Sequence, residues 1–203
     1  MNNSFEIRLV RDSDHAGMLS VYAPSVINTA VTFDYEVPSL QDFTDRISKI
    51  SAHYPCLICE TGGVVVGYAY GSMHRFKTAY QWSTESTIYV DEKFHGLGVA
   101  RVLYDALLSV LELQGFINVY AGVTLPNPKS EKFHLAMGFA EIAVFDKIGY
   151  KLGKWHDLKF FEMYLKEHPA QPVPPVSIRA VAGTTAFIDI MTRANEVLNE
   201  VSD

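Results

Sequence analysis

The sequence reads as a single α/β domain, a mixed β-sheet flanked by helices, with an extra helical tail at the C-terminus. Three observations carry that reading. Short β-branched and apolar runs alternate along the chain with segments of helical period, the pattern that layers helices over a sheet. The run Thr87 to Val90 passes through a glycine-rich turn directly into an amphipathic helix that Gly115 stops. The 203 residues, 48% of them hydrophobic, suffice for one substantial core without a disulfide or metal staple.

Taken in order, Phe5 to Val10 alternates polar and apolar residues as a half-buried strand does. Asp12-Ser13-Asp14 then offers oxygens to cap a helix running to about Pro24 or slightly beyond. Ser39 to Asp42 is a capping-box-like start, with Leu40, Phe43, Ile47 and Ile50 as the buried stripe of a second helix. Between the two helices lies Thr29-Ala30-Val31-Thr32-Phe33, where Phe33 reads equally as a loop-packing residue or as the wall of a substrate pocket. Cys56 to Glu60 and Val64 to Met73 form a hairpin about Thr61-Gly62-Gly63. Strands at 83–90 and 117–124 bracket the helix from Val99. On that helix Val99, Leu103, Ala106, Val110 and Leu113 share one face, and Arg101, Asp105, Ser109 and Glu112 fill the other. Leu125-Pro126-Asn127-Pro128 leads into a short helix, Lys129 to Met137, before the last strands, Phe139 to Phe145 and Leu158 to Leu165. A Pro-rich stretch within Glu167 to Pro175 bounds the domain, 1–166, from a tail, 167–203. In that tail Ile188, Met191, Ala194, Val197 and Leu198 keep a helical period.

Composition excludes several functions. A net charge of -6 argues against a general nucleic-acid binder, whose phosphate contacts demand a basic surface. No apolar run reaches membrane-spanning length and MNNSFEIR lacks the regions of a signal peptide, so a cytoplasmic protein without membrane contact is expected. Cys56 and Cys59 form a C-x-x-C, but within a strand-like run they point to opposite faces, and no second pair at zinc spacing follows. They read as buried reduced thiols, and no metal is expected.

The turn His95-Gly96-Leu97-Gly98 is the point of chemical interest. Its missing Cβ atoms let a ligand approach the backbone, and the first amides of the following helix lack partners, so the turn suits an anion. It is neither a P-loop nor a dinucleotide fingerprint. His95-Gly96-Leu97-Gly98-Val99-Ala100 resembles the Gln/Arg-x-x-Gly-x-Gly/Ala segment of the GNAT acyltransferases, with His95 at the position usual for Gln or Arg. Further segments resemble the phosphinothricin and methionine sulfone acetyltransferases of that superfamily over residues 5–166: Thr29-Ala30-x-x-Phe33, Ala79-Tyr80-x-Trp82-Ser83-Thr84-Glu85, Leu125-Pro126-Asn127-x-x-Ser130-x-x-x-His134-x-x-x-Gly138-Phe139, and Gly149-Tyr150-Lys151-x-Gly153-x-Trp155-x-Asp157. The resemblance implies a GNAT-like fold and a site for acetyl-CoA formed by Ile88, Tyr89, Val90, His95 to Ala100, Asn127 and Ser130. It also implies N-acetylation of a small amino acid by direct attack in a ternary complex, and a homodimer.

The remaining residues follow from the chemistry. An amine is protonated near neutral pH, so acetyl transfer to it needs a base. Glu85 read alone is a solvated carboxylate at a strand entry, whereas the resemblance makes it that base. His134 is a structural histidine or, by resemblance, the donor to the leaving thiolate. Asn127 caps its helix or contacts the pantetheine arm. Arg75 and Lys77, at alternating spacing beside Tyr80, are candidates to hold the substrate carboxylate, with Lys77 a point charge rather than a fork. Two other functions stay open: acetylation of a peptide α-amine, which needs an open groove, and a non-catalytic acyl-CoA sensor, which has no need of Glu85, Arg75 and Lys77.

Overall fold

A computed structural model describes residues 4–202. Met1 to Asn3, which begin both the expected domain and the segment read as lacking a leader, and Asp203 of the expected tail lie outside the described residues. The strands are β1 (Phe5–Leu9), β2 (Cys56–Thr61), β3 (Val64–Met73), β4 (Ser83–Val90), β5 (Asn118–Thr124), β6 (Ala140–Lys151) and β7 (Lys154–Tyr164). The helices are α1 (His15–Asn28), α2 (Leu40–Ser51), α3 (Val99–Gln114), α4 (Pro128–Ala136), α5 (Ile178–Val181) and α6 (Thr185–Ser202). One sheet runs in the order β1-β2-β3-β4-β5-β7-β6, with every neighbouring pair antiparallel except β4 and β5.

Two apolar clusters cover the two faces of this sheet. One holds Met18, Tyr22, Phe43, Ile47 and Tyr68 beneath α1 and α2, and the other holds Leu103, Leu107, Leu111, Val119 and Phe161 beneath α3. Cys56 belongs to the first cluster and Cys59 to the second, as three residues of strand separation require. Both thiols are free and buried, and burial pushes the Cys59 thiol up to about 12. The β2–β3 turn uses Gly62 and Gly63 at φ 57° and 78°, values that favour glycine in a two-residue hairpin.

Three expectations need correction. Helix α1 does not end near Pro24 but continues to Asn28, because Pro24 lies on the exposed side while Tyr22 and Val26 stay buried. The buried face of α2 is narrower than its apolar pattern, with Phe43 and Ile47 inside and Leu40, in the first turn, 49% exposed. The last two strands form one long hairpin through the Gly149 to Trp155 motif, turned by Leu152 and Gly153 at φ 50° and 78°. Asp146, Lys147 and Gly149 break the alternation in sequence, and the structure absorbs them as a register shift between Phe145 and Gly149.

The tail is packed onto the domain. Trp82 Nε1 donates to Val173 O at 2.8 Å and Val176 N to Gln114 O at 2.9 Å, so the Pro-rich stretch is a fixed strap. Ile178, Val181, Phe187, Met191, Ala194 and Leu198 then join the α3 cluster.

Candidate active site

The parallel pairing of β4 with β5 is brief. It joins Ser83 to Asn118, Thr84 to Val119 and Glu85 to Tyr120, then stops, although β4 runs on to Val90 and β5 to Thr124. Beyond that point a gap opens in the sheet, with Glu85 and Tyr120 at its vertex. Backbone alternation decides what faces the gap. Trp82 O accepts from Ile117 N and Asn118 N on the β5 side, while Asp91 N donates to Val66 O on the β3 side. The even-numbered Ile88 and Val90 therefore turn their amides to the gap, and Tyr89 turns its amide to β3. Side chains alternate likewise. Ser86 is buried on the α3 face, its Oγ 2.6 Å from Tyr104 Oη, so Glu85 lies on the opposite face with Tyr89, whose ring packs on Tyr22 and Tyr68.

Beside the gap, the turn Glu92–Phe94 leads into His95-Gly96-Leu97-Gly98. Gly96 and Gly98 take φ 85° and 79°, where residues with a Cβ are strained. Gly98 is the N-cap of the 16-residue α3, whose first turn holds no acidic residue. The positive end of its dipole and its leading amides thus meet no local carboxylate. The His95 ring reaches back to β4, with Nε2 donating to Val90 O at 3.0 Å.

Across the gap, Asn127 Oδ1 accepts from Ser130 N at 3.2 Å and caps α4, leaving its amide Nδ2 for any further contact. His134, one turn on, is 5% exposed among Tyr104, Phe133, Phe139 and Phe161. Its Nδ1 donates to Ser130 O at 2.8 Å, and burial lowers its pKa against the raising effect of that bond. The imidazole is therefore held neutral with its proton aimed at the helix backbone. This environment favours a packing role for His134 over the proton-donor role the resemblance implies.

One residue at the vertex carries no motif. His74 Nδ1 bonds Glu85 Oε1 at 2.9 Å, and its ring stacks on Tyr120 with centroids 4.3 Å apart. Strand register locates it, since Ser72 pairs with Glu85 and a period of two brings His74 to the same face. Arg75 is exposed, its Cζ 5.7 Å from the Tyr80 ring centre, and its charge acts on the Tyr120 phenol, whose pKa burial and Glu162 raise. Lys77 is exposed at the head of the turn Thr78–Tyr80 and makes no ion pair among the described residues. The structure brings Glu85, His74 and Tyr120 together, with Arg75 exposed beside Tyr80 and Lys77 on the rim.

The loop after α1 is clamped from both sides. Tyr22 Oη donates to Asp34 Oδ2 at 2.7 Å, and Arg46 Nη1 reaches the same oxygen at 3.0 Å. From β6, Lys151 Nζ donates to Thr32 O at 2.8 Å and is buried, which lowers its pKa. Tyr35 Oη donates to Tyr150 O. The Phe33 ring fills the space where a Cβ on Gly149 would stand, which fixes one face of the ring against β6 and leaves the residue half-buried. Among the described residues no group of three or more His, Cys, Asp or Glu is placed to hold a metal ion.

A sheet that splays at its one parallel pair, with a glycine-led helix beside the gap and a carboxylate at the vertex, offers an anionic end and a reactive end to one extended ligand. Residues 7–159 match the Acetyltransferase (GNAT) domain, and the chain belongs to that family. It is 35% identical to a phosphinothricin N-acetyltransferase of Streptomyces viridochromogenes, over 85% of this chain and 94% of that protein. It is 30% identical to an L-methionine sulfoximine/L-methionine sulfone acetyltransferase of Salmonella typhimurium, over 81% and 96% of the two chains. The crystal structure of a phosphinothricin acetyltransferase from Sinorhizobium meliloti in complex with acetyl-CoA superposes with a TM-score of 0.80 at 30% identity, covering 85% of this chain and 95% of that one.

Proposed function

We propose that the protein transfers the acetyl group of acetyl-CoA to the α-amine of a small amino acid or analogue, of the phosphinothricin, methionine sulfone or methionine sulfoximine type, by direct attack in a ternary complex. The observation that carries the reading is Glu85 at the vertex of the β4–β5 gap, the last residue of β4 paired with β5. The relatives named for such acceptors, matched over more than four-fifths of this chain, support the substrate class.

The residues present fit acetyl-CoA. Gly96, Gly98 and the leading amides of α3 suit the pyrophosphate, and the open amides of Ile88 and Val90 suit the amide groups of the pantetheine arm. Asn127 Nδ2 and Ser130 flank that arm from α4. When bound, acetyl-CoA supplies the activated thioester. Glu85 takes a proton from the acceptor ammonium and frees the lone pair for attack on the thioester carbonyl; the C–N bond forms as the C–S bond breaks, and the proton left on the acetylated nitrogen goes to the departing sulfur. His74, bonded to Glu85 and stacked on Tyr120, holds the carboxylate towards the acceptor. Arg75, with Lys77 from the rim, receives the acceptor carboxylate, while Tyr80 and Phe33 bound its side chain. His134 supports the aromatic floor and is left out of the proton transfers.

The clamped Thr29–Tyr35 segment favours a small acceptor, because a peptide requires a groove open at both ends. Two further parts of the proposal concern the whole protein. Edge strand β6 exposes Ile142, Val144, Phe145 and Ile148, which fits a second copy in a homodimer. Two buried reduced thiols fit the cytoplasm. Free thiol release from acetyl-CoA, measured with phosphinothricin, methionine sulfone, methionine sulfoximine, the common amino acids and a short peptide, tests the function. The expected result is turnover with free amino-acid analogues and none with the peptide; turnover with the peptide alone overturns it.

A further inference from the structure

The family match ends at residue 159, yet α6, which begins at Thr185, returns to the glycine turn. Asn195 and Asn199, one helical turn apart, treat the free edge of β1 as a neighbouring strand would. Asn195 accepts from Ile7 N at 2.6 Å and donates to Ile7 O at 3.0 Å, and Asn199 does the same to Phe5 N and O at 2.8 and 3.0 Å. Each side-chain amide satisfies both polar groups of one residue, which fixes the position of α6 along β1 and covers an edge otherwise open to pairing.

Two contacts then run from this fixed register to the ends of the turn. The Phe5 ring, on the residue that Asn199 holds, meets Phe94 edge-on at 6.1 Å, immediately before His95. At the other end, Val201 Cγ2 lies 2.7 Å from where a Cβ on Gly98 would stand. Val201 is 56% exposed, so it contributes little to the core, and its Cγ2 stands against Gly98.

We infer that α6 sets the shape of the Phe94–Gly98 turn from behind, with Asn199 and Val201 as positioning residues for acetyl-CoA. The inference rests on the proposed pyrophosphate role of that turn. Its reach is specific, because a tail that merely stabilised the fold would act on both substrates alike.

The test uses the full chain and compares Michaelis constants with melting temperatures. Val201→Ala should raise KM for acetyl-CoA about fivefold, a loss the size of one small packing contact. Asn199→Ala, which frees both Phe5 and the end of α6, should raise it about tenfold. In both variants kcat and KM for the amino acid stay near wild type. The S-acetyl thioester of N-acetylcysteamine, which has no pyrophosphate, should show no difference between variants and wild type. Phe187→Ala is the control: it opens the buried far end of α6, about 21 Å from Val201 at 1.5 Å per residue, and should lower the melting temperature without moving that KM. Wild-type KM for acetyl-CoA in both Val201→Ala and Asn199→Ala overturns the inference, as does an equal rise in Phe187→Ala. Gly96→Val separates this failure from that of the underlying reading. If it too leaves acetyl-CoA binding unchanged, the turn does not hold the pyrophosphate and the inference falls with it.

Discussion

At the scale of residues, the base and its partner can be separated by what each contributes. Glu85→Gln removes the proton acceptor and should lower kcat by about 100-fold or more, with a rate that recovers as pH rises and the amine deprotonates unaided. His74→Phe keeps the stack on Tyr120 and deletes only the bond to Glu85, so about a tenfold fall in kcat is expected. Both should bind acetyl-CoA as the wild type does by calorimetry, and wild-type turnover in Glu85→Gln would remove it from the mechanism. Replacing Arg75 and Lys77 with Ala should raise KM for a free amino acid by about 10-fold or more, while the corresponding amide, lacking the carboxylate charge, loses little. His134 yields a pH prediction on stability. Burial lowers its folded pKa, so the unfolded chain takes up the proton first, and stability falls as pH drops below the unfolded imidazole value of about 6.5. His134→Phe, which fills the same aromatic box, should flatten the fall in melting temperature between pH 7.5 and 5; an unchanged slope would assign it to other groups. Glu85 was legible in sequence because a motif surrounds it, whereas His74 was not, since its meaning comes from a cross-strand register that no local pattern encodes.

At the scale of elements, the glycine turn shows how a neighbour alters the choice of probe. At Gly98 a substitution such as Gly98→Val puts a Cβ against Val201 besides straining a φ of 79°, so its effect mixes two causes. Gly96 has no heavy atom within 4 Å of a Cβ, which makes Gly96→Val the cleaner test. Calorimetry should show acetyl-CoA affinity reduced about tenfold or more with little loss of kcat at saturation. The helix behind this turn was readable because Arg101, Asp105, Ser109 and Glu112 do form its exposed face. The β6–β7 hairpin was only half readable. Its outer strand is exposed on both faces, so no alternation marks it, and a positive-φ Lys147 at a register shift hides its continuity. The helical period of α6 was plain in sequence, but its docking was not, because Asn195 and Asn199 look like ordinary polar positions until β1 lies beside them.

At the scale of the whole molecule, the α/β class follows from periods of 2 and 3.6 that are local properties, while the gap that gives the sheet its chemistry depends on where β4–β5 pairing stops. The proposed homodimer likewise rests on the assembled sheet. Strand β6 is a 12-residue edge without proline, and Ile142, Val144, Phe145 and Ile148 stand 44 to 52% exposed along it, with its charges Asp146 and Lys147 confined to the register shift between Phe145 and Gly149 and Glu141 and Lys151 near its ends. The opposite edge, β1, is covered by the two asparagines, so the proposed homodimer would pair through β6. Light scattering on the wild-type chain should give twice the 22.7 kDa chain mass. Val144→Glu combined with Ile148→Glu places two charges where the second copy would pack, and should return the mass to that of one chain. Neither residue belongs to the core, so the melting temperature measured at low protein concentration should change little. A dimer that survives this double substitution places the interface elsewhere, and a monomeric wild type removes it.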